Sequence, residues 1–444
     1  MTTISDGFRL QPGMSINPQG HLCLHQLDLV QAAQEFGTPL YLLNEETIRG
    51  NCRRYVASLA KEYPRARVVY AGKAFLCQAM CLLVRSEGLG LDVVSGGELH
   101  TAISVDFPAQ DIIFHGVNRS TSELAQALAY GVGRIVVDNW AEAERVIEAA
   151  SAAKTIAPIL LRVSTGVEAH THQYVQTSLI DSKFGFNLQE LPEVVARLRR
   201  YSQIEIKGLH CHIGSQIASA EPFVQNLDTL LRTIADLPCD LQELNLGGGL
   251  GAYYGQGDEV PEPEQLVGHL AQTARDICRS LGLALPQLIL EPGRSIVNEA
   301  GLTLYRVGGT KMIPGIRNYL FIDGGMTDNI RPALYGSRYE TVLANRMHEA
   351  ASEQYSIAGR CCESGDMVAW NQMLPAAEPG DILAVARTGA YNYSMASNYN
   401  RLPRPAVVLV SNRRADLIVE RETYSDLIRL DRVPPHLSRD GGAR

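Results

Sequence analysis

The strand-forming run Ala66-Arg67-Val68-Val69-Tyr70 ends in Ala71-Gly72 and delivers a single amine, Lys73. Folds built on parallel strands gather chemistry at the strands' carboxyl ends, and an amine held there among apolar neighbours loses ammonium solvation and becomes nucleophilic more easily. A lone lysine after a strand also suits an ordinary surface position, so the other loops must decide. Asn245-Leu246-Gly247-Gly248-Gly249-Leu250-Gly251 offers bare backbone amides that can cradle a phosphate, although many glycine-rich stretches are simply turns. His210-Cys211-His212-Ile213-Gly214-Ser215-Gln216 carries two imidazoles which strand alternation turns to one face, with Cys211 opposite. Without a second cluster at zinc spacing, a stacking or hydrogen-bonding histidine fits better than a metal ligand, and no metal is expected. Glu291-Pro292-Gly293-Arg294 adds a carboxylate, either a structural ion-pair partner or a group able to hold a proton on a heterocyclic nitrogen.

From residue 66, short apolar runs alternate with helical patterns, the signature of repeated βα units. The runs cover residues 67–70, 90–94, 111–115, 134–137, 158–163, 204–209, 241–246 and 287–290. Between them, Phe223, Leu227, Leu230, Leu231 and Ile234 form one helical stripe, and Ser120 and Thr121 cap a second helix before Leu124 and Leu128. Eight such units close most naturally into a (β/α)8 TIM barrel of roughly 250 residues, with a doubly wound sheet as the alternative. On the barrel, Lys73 follows the first strand, the histidines the sixth, the glycines the seventh and Glu291 the eighth. The loops after the last two strands are where barrels favour phosphate. Amine, phosphate grip, ring stack and carboxylate in one mouth are together what pyridoxal 5'-phosphate requires.

After Val297 the pattern changes to short strands at residues 303–307, 318–322, 367–369, 381–385, 406–410 and 416–419. The expected division is an N-terminal segment (1–40) packing with the β-rich part through strand-like pieces at 20–24 and 38–43, a barrel (41–300) and a β-rich C-terminal domain (301–444). A loose tail is expected from Pro434 onward. With 444 residues, 45% of them apolar, the chain can bury a large core and a second domain. A net charge of −8 argues against a general nucleic-acid binder. Nine cysteines without framework spacing suggest a reducing, cytoplasmic compartment, and neither a signal peptide nor an apolar run of about 18 residues is read, so no membrane association is expected.

Tyr70-Ala71-Gly72-Lys73-Ala74, His212-Ile213-Gly214-Ser215, Gly247-Gly248-Gly249 and Glu291-Pro292-Gly293-Arg294 resemble, in order and across nearly the whole chain, the motifs of the fold-type III pyridoxal phosphate decarboxylases. That resemblance implies an alanine-racemase-type barrel joined to a β-sandwich. Four further stretches resemble the branch that acts on diaminopimelate: His170-Thr171-His172-Gln173-Tyr174, Asp181-Ser182-Lys183-Phe184-Gly185-Phe186, Arg331-Pro332-Ala333-Leu334-Tyr335 and Cys362-Glu363-Ser364-Gly365-Asp366.

The resemblance implies that Lys73 is the covalent tether, His212 the ring stacker and Glu291 the partner of the pyridine nitrogen. Ser215, Gly247, Gly248, Gly249, Gly293, Arg294 and Tyr391 would hold the cofactor, with Arg162 and Glu98 in support. Cys362 would be the proton donor, although a buried, inert thiol is the usual fate of a cysteine. A second amino-acid head on the substrate needs a carboxylate site, for which Arg294 and Arg331 offer planar charged forks, with Glu363, Tyr335 and Tyr391 beside them. The implied reaction is decarboxylation of meso-2,6-diaminopimelate to L-lysine and CO2, the last step of lysine biosynthesis, in a homodimer with shared sites to which the second domain brings Cys362 and Tyr391. Another diamino or carrier-bound amino acid is the alternative substrate. Three departures from the family pattern stand out: Thr177-Ser178, Asn245 before the glycines, and Gly116-Val117-Asn118-Arg119.

Overall fold

The structure, a computed structural model, describes residues 3–4, 8–167, 183–255, 258, 260–412 and 414–437. Each of the eight apolar runs forms a strand: Ala66–Ala71, Gly90–Val93, Ile112–Phe114, Arg134–Val137, Ala157–Ser164, Ile204–His210, Glu243–Asn245 and Gln287–Leu290. They pair in parallel in chain order, and the eighth returns to the first with Leu290 opposite Val68. The sheet is therefore a closed barrel, which removes the doubly wound alternative.

Alternation along these strands explains the closure. Val69, Ile113, Val136, Leu160 and Ile289 form a fully buried cluster of their own inside the barrel. Their chain neighbours, among them Tyr70, Phe114, Val137 and Leu161, pack outward against the helices. The helix Glu221–Asp236 buries Phe223, Leu227, Leu230, Leu231 and Ile234, the stripe expected from their spacing. The helix Thr121–Tyr130 starts at Ser120, whose capping box with Glu123 satisfies two amides that the first turn would leave unpaired, and stops at Gly131 in the left-handed region.

The other large sheet is organised by the strand Gly301–Ile313. Its first half runs antiparallel to both Leu40–Asn44 and Ile382–Ala386, and its second half pairs with Arg317–Ile322 beyond an irregularity at residues 307–309. Leu40–Asn44 also pairs in parallel with Ala406–Val410, so a strand near the start of the chain sits inside this sheet. Asn44 then caps the helix Glu45–Glu62 and the chain passes to the barrel. Two strands of this sheet, Thr341–Leu343 and Glu353–Ala358, lie outside the expected runs. The first has only three residues, and the second mixes Glu, Gln and Ser with apolar residues, so pairing rather than local pattern makes them strands.

The sheet domain reaches the barrel mouth through the segment after Ile382–Ala386. There Tyr391 donates its backbone N–H to the carbonyl of Ala74 at 2.8 Å, and Ser394 Oγ reaches the same oxygen at 3.1 Å. None of the nine cysteines forms a disulfide. Among the described residues no helix is long and apolar enough to cross a membrane.

Candidate active site

A cavity of about 460 Å³ opens at the carboxyl ends of the barrel strands. That volume lies within the usual range for a small-molecule site. Its wall includes Lys73, Arg162, His212, Ser215, Gly248, Gly249, Glu291, Gly293, Arg294, Arg331, Tyr335 and Tyr391. Lys73 is half-buried in the single turn Gly72–Ala74 that follows the first strand. Gly72 is required there, because a Cβ would lie 2.8 Å from the carbonyl oxygen of Asp92.

Glu291 anchors one end. Its Oε1 accepts Asn245 Nδ2 at 2.6 Å and pairs with His115 Nε2 at 2.8 Å, while His210 Nε2 lies 3.4 Å from Oε2. Burial alone would raise this carboxyl, but the charge and hydrogen bonds of His115, helped by His210, hold it well below the usual range. Burial pushes Asp92 up to about 6 and His210 down to about 3. His212 is also driven well below its ordinary value, first by burial and then by the positive charges of Lys73 and Arg162. It is therefore a neutral ring at physiological pH, as a stacking role needs. Glu98 accepts the backbone N–H of Val94 at 2.7 Å, and burial raises its carboxyl to about 7.

The opposite end is built for an anion. Gly249 adopts φ +121°, and a Cβ there would lie 2.4 Å from the carbonyl of Gly214; a Cβ on Gly248 would lie 2.1 Å from that of Glu291. Only backbone fits, so the turn can press its amides against a bound group. Gly247 stands behind this surface, accepting the N–H of Glu291 at 2.8 Å. Arg294 is buried, donates to Ser215 Oγ at 2.9 Å and to the hydroxyl of Tyr254, and lies 4.8 Å from the centre of the Tyr391 ring. Its Nε has no partner. A buried guanidinium nitrogen left unpaired beside such a turn fits the phosphate of pyridoxal phosphate, and the Glu291 cluster fits its ring nitrogen.

Arg331 begins the short helix Arg331–Tyr335; it is buried, stacks 4.9 Å from the Tyr335 ring, and its Nε is also unpartnered. Arg162 lies 4.1 Å from the centre of the Phe184 ring and 3.8 Å from Asp138. Two expected residues stand elsewhere. Cys362 and Glu363 are exposed and do not line this chain's cavity; the Cys362 N–H is held by Asn400 Oδ1 at 2.9 Å, and Asp366 clamps the loop by accepting the N–H groups of Cys361 and Met326. Tyr391 corrects the expectation that it serves a partner's mouth: it lies on the cavity of its own chain, docked on Ala74.

His170-Thr171-His172-Gln173-Tyr174, Thr177-Ser178, Asp181 and Ser182 lie outside the described residues. Asp92, His115 and Tyr254 were not singled out from the sequence. Asp92 and His115 sit at the ends of the second and third strands, so the rule that flagged Lys73 would have found them. Tyr254 lies in a loop with no such marker.

Residues 49–298 match the model of the pyridoxal-dependent decarboxylases, pyridoxal binding domain. The chain is 44% identical over 421 residues to the diaminopimelate decarboxylase of Bacillus subtilis (strain 168), covering 94% of this chain and 96% of that one. With the diaminopimelate decarboxylase of Bacillus methanolicus it shares 45% identity over 413 residues, 92% of this chain and 96% of the other. The diaminopimelate decarboxylase of M. jannaschii, solved with L-lysine, superposes with a TM-score of 0.89 at 33% identity, covering 96% of this chain and 99% of that one. A barrel mouth shaped for pyridoxal phosphate and identity sustained through both domains lead to one conclusion: the chain belongs to the diaminopimelate decarboxylase family of pyridoxal-dependent decarboxylases.

Proposed function

We propose that this protein decarboxylates meso-2,6-diaminopimelate to L-lysine and CO2, completing lysine biosynthesis. The observation that carries the reading is the cavity itself, where Lys73 and Glu291 share a wall with a glycine turn, Arg294 and Arg331. Pyridoxal phosphate, when bound, supplies the electron sink for the pair left behind as CO2 departs. Lys73 would hold the cofactor covalently through its amine. Glu291 would keep a proton on the ring nitrogen, and neutral His212 would stack on the ring. Ser215, the residue 247–249 turn, Gly293, Arg294 and Tyr391 hold the phosphate, and Arg162 and Glu98 fix the surroundings. Arg331, with Arg294, Tyr335 and Tyr391 alongside, binds the distal carboxylate, which a substrate with a single carboxyl group lacks. Cys362 Sγ returns the proton at the carbon that lost CO2, and Glu363 meets the distal ammonium.

Cys362 and Glu363 are exposed on one protomer, which supports a homodimer in which each sheet domain completes the other subunit's mouth. The same reading treats residues 1–40, 41–300 and 301–444 as N-terminal segment, barrel and β-rich domain, and places the enzyme in a reducing cytoplasm where its thiols stay free. The test is incubation of the purified protein with pyridoxal phosphate and meso-diaminopimelate, with ornithine and arginine in parallel. Lysine and CO2 from the first alone is the expected result; preferential turnover of another amino acid refutes the substrate.

A further inference from the structure

The two oxygens of Glu291 are not equivalent. Oε1 is saturated by Asn245 Nδ2 at 2.6 Å and His115 Nε2 at 2.8 Å, whereas Oε2 has only His210 Nε2, at 3.4 Å. His115 also faces Asp92, whose Oδ1 lies 3.8 Å from the same ring nitrogen and has no hydrogen-bond partner. All of these groups are buried. We propose that His115 is a positioning residue that holds Glu291 as an oriented anion, so that Oε2 is the oxygen presented to a ring nitrogen bound in the cavity. The inference rests on the reading in which Glu291 meets that nitrogen.

A buried carboxylate without a partner takes up a proton instead of staying charged. His115 stands between two such carboxylates, one from the second strand and one from the eighth, and this pair outweighs the burial that would otherwise neutralise the imidazole. The other cations facing the cluster are Lys73 from the first strand and Arg162 from the fifth. His210, from the sixth, cannot take the same part, because burial leaves it neutral. Asn245, from the seventh, is a neutral donor whose amide keeps the carboxylate plane fixed, where an aspartate would only accept.

The chain also fixes His115 from behind. Its backbone N–H bonds the carbonyl of Val93 at 2.8 Å. Four residues on, buried Arg119 pairs with Glu142 at 3.0 Å and donates to the carbonyls of Phe114 and Val136. The loop that follows the third strand is thereby anchored to the fourth strand and its helix. The backbone that carries the imidazole is fixed by this anchor, which is what a positioning residue needs.

The test compares binding of pyridoxal phosphate with binding of its analogue in which ring nitrogen is replaced by CH, using the full-length protein stripped of cofactor and equilibrium dialysis. Wild type is expected to prefer the nitrogen-containing ligand. His115→Gln and Glu291→Gln are each expected to reduce that preference at least tenfold, because a neutral Glu291 no longer penalises the CH group. Loss in Glu291→Gln but not in His115→Gln overturns the inference and leaves the Glu291 reading standing. Full preference retained in Glu291→Gln overturns both. Equal weakening of the two ligands by His115→Gln marks a packing role and also overturns the inference. Should His115→Gln fail to fold, 15N-histidine labelling of the wild-type holoenzyme decides: a doubly protonated imidazole persisting at pH 7.5 is expected, and buried histidines that are all neutral refute the proposal.

Discussion

At the scale of single residues, the site separates groups that hold charge from groups that give it up. Arg331 is buried with an unpartnered Nε on the cavity wall, where a ligand's anionic group can supply the partner. Arg331→Ala is expected to raise KM for meso-diaminopimelate about ten- to a hundredfold, the effect of losing a charge-assisted bond of roughly 1.5–3 kcal/mol. Cofactor retention, read from the bound absorbance, should not change. An equal loss on a substrate without the distal carboxylate would contradict the role. Away from the cavity, Asp328 shows the reverse case. Burial, reinforced by Asp323 and Asp366, raises its carboxyl from 3.8 to about 7 despite the N–H of Gly325. A raised folded pKa means that the native state holds the proton longer, so its contribution to stability is present below pH 3.8 and is lost as pH rises toward 7. Asp328→Asn should remove a slope approaching about 1.4 kcal/mol per pH unit, detectable by denaturant melts at pH 5 and pH 8. Parallel melts for variant and wild type would show that Asp328 is not the titrating group.

At the scale of elements, the glycine turn and the loop carrying Ser215 are built against each other. Gly249→Ala would set a Cβ 2.4 Å from the Gly214 carbonyl in a backbone region at φ +121°, and both loops would have to move. We expect at least a tenfold loss of pyridoxal phosphate affinity, about 1.4 kcal/mol, by equilibrium dialysis. Gly282→Ala is the control: it shares the positive φ, at +66°, but meets nothing within 4 Å, so it should cost about 1 kcal/mol of stability and leave cofactor affinity intact. This contrast also marks what could be read from the sequence. Short continuous apolar runs gave every barrel strand, because each strand is buried on both faces, and polar or glycine-rich residues after the first, sixth, seventh and eighth runs pointed to the mouth. The strands Thr341–Leu343 and Glu353–Ala358 escaped because one is too short and the other too mixed for alternation to register. Asp92 and His115 share the strand-end position of Lys73, but that position alone does not say what they meet: only barrel closure brings Asp92 to His115 and His115 to Glu291.

At the scale of the whole molecule, the two domains divide the site. Lys73 and Tyr391 share one chain's cavity, whereas Cys362 is exposed on a loop that Asp366 and Asn400 hold in place from inside the sheet domain. A held loop presenting Cys362 to solvent suits the proposed two-fold pair, in which each sheet domain caps the other barrel. Lys73→Ala and Cys362→Ala subunits should each be inactive by themselves, and mixing them should restore activity. At equal mixing and random exchange, half of the dimers are mixed and each has one site with both native residues, so recovery should approach about one quarter of wild type. Tyr391→Phe sharpens the test. Tyr391 belongs to the same cavity as Lys73, so a chain carrying both Lys73→Ala and Tyr391→Phe should complement Cys362→Ala as well as Lys73→Ala does. If Tyr391 instead served the partner's mouth, that mixture would recover less. No recovery in either mixture, with subunit exchange shown independently, would put Cys362 and Lys73 in the same subunit's site and refute the shared mouth.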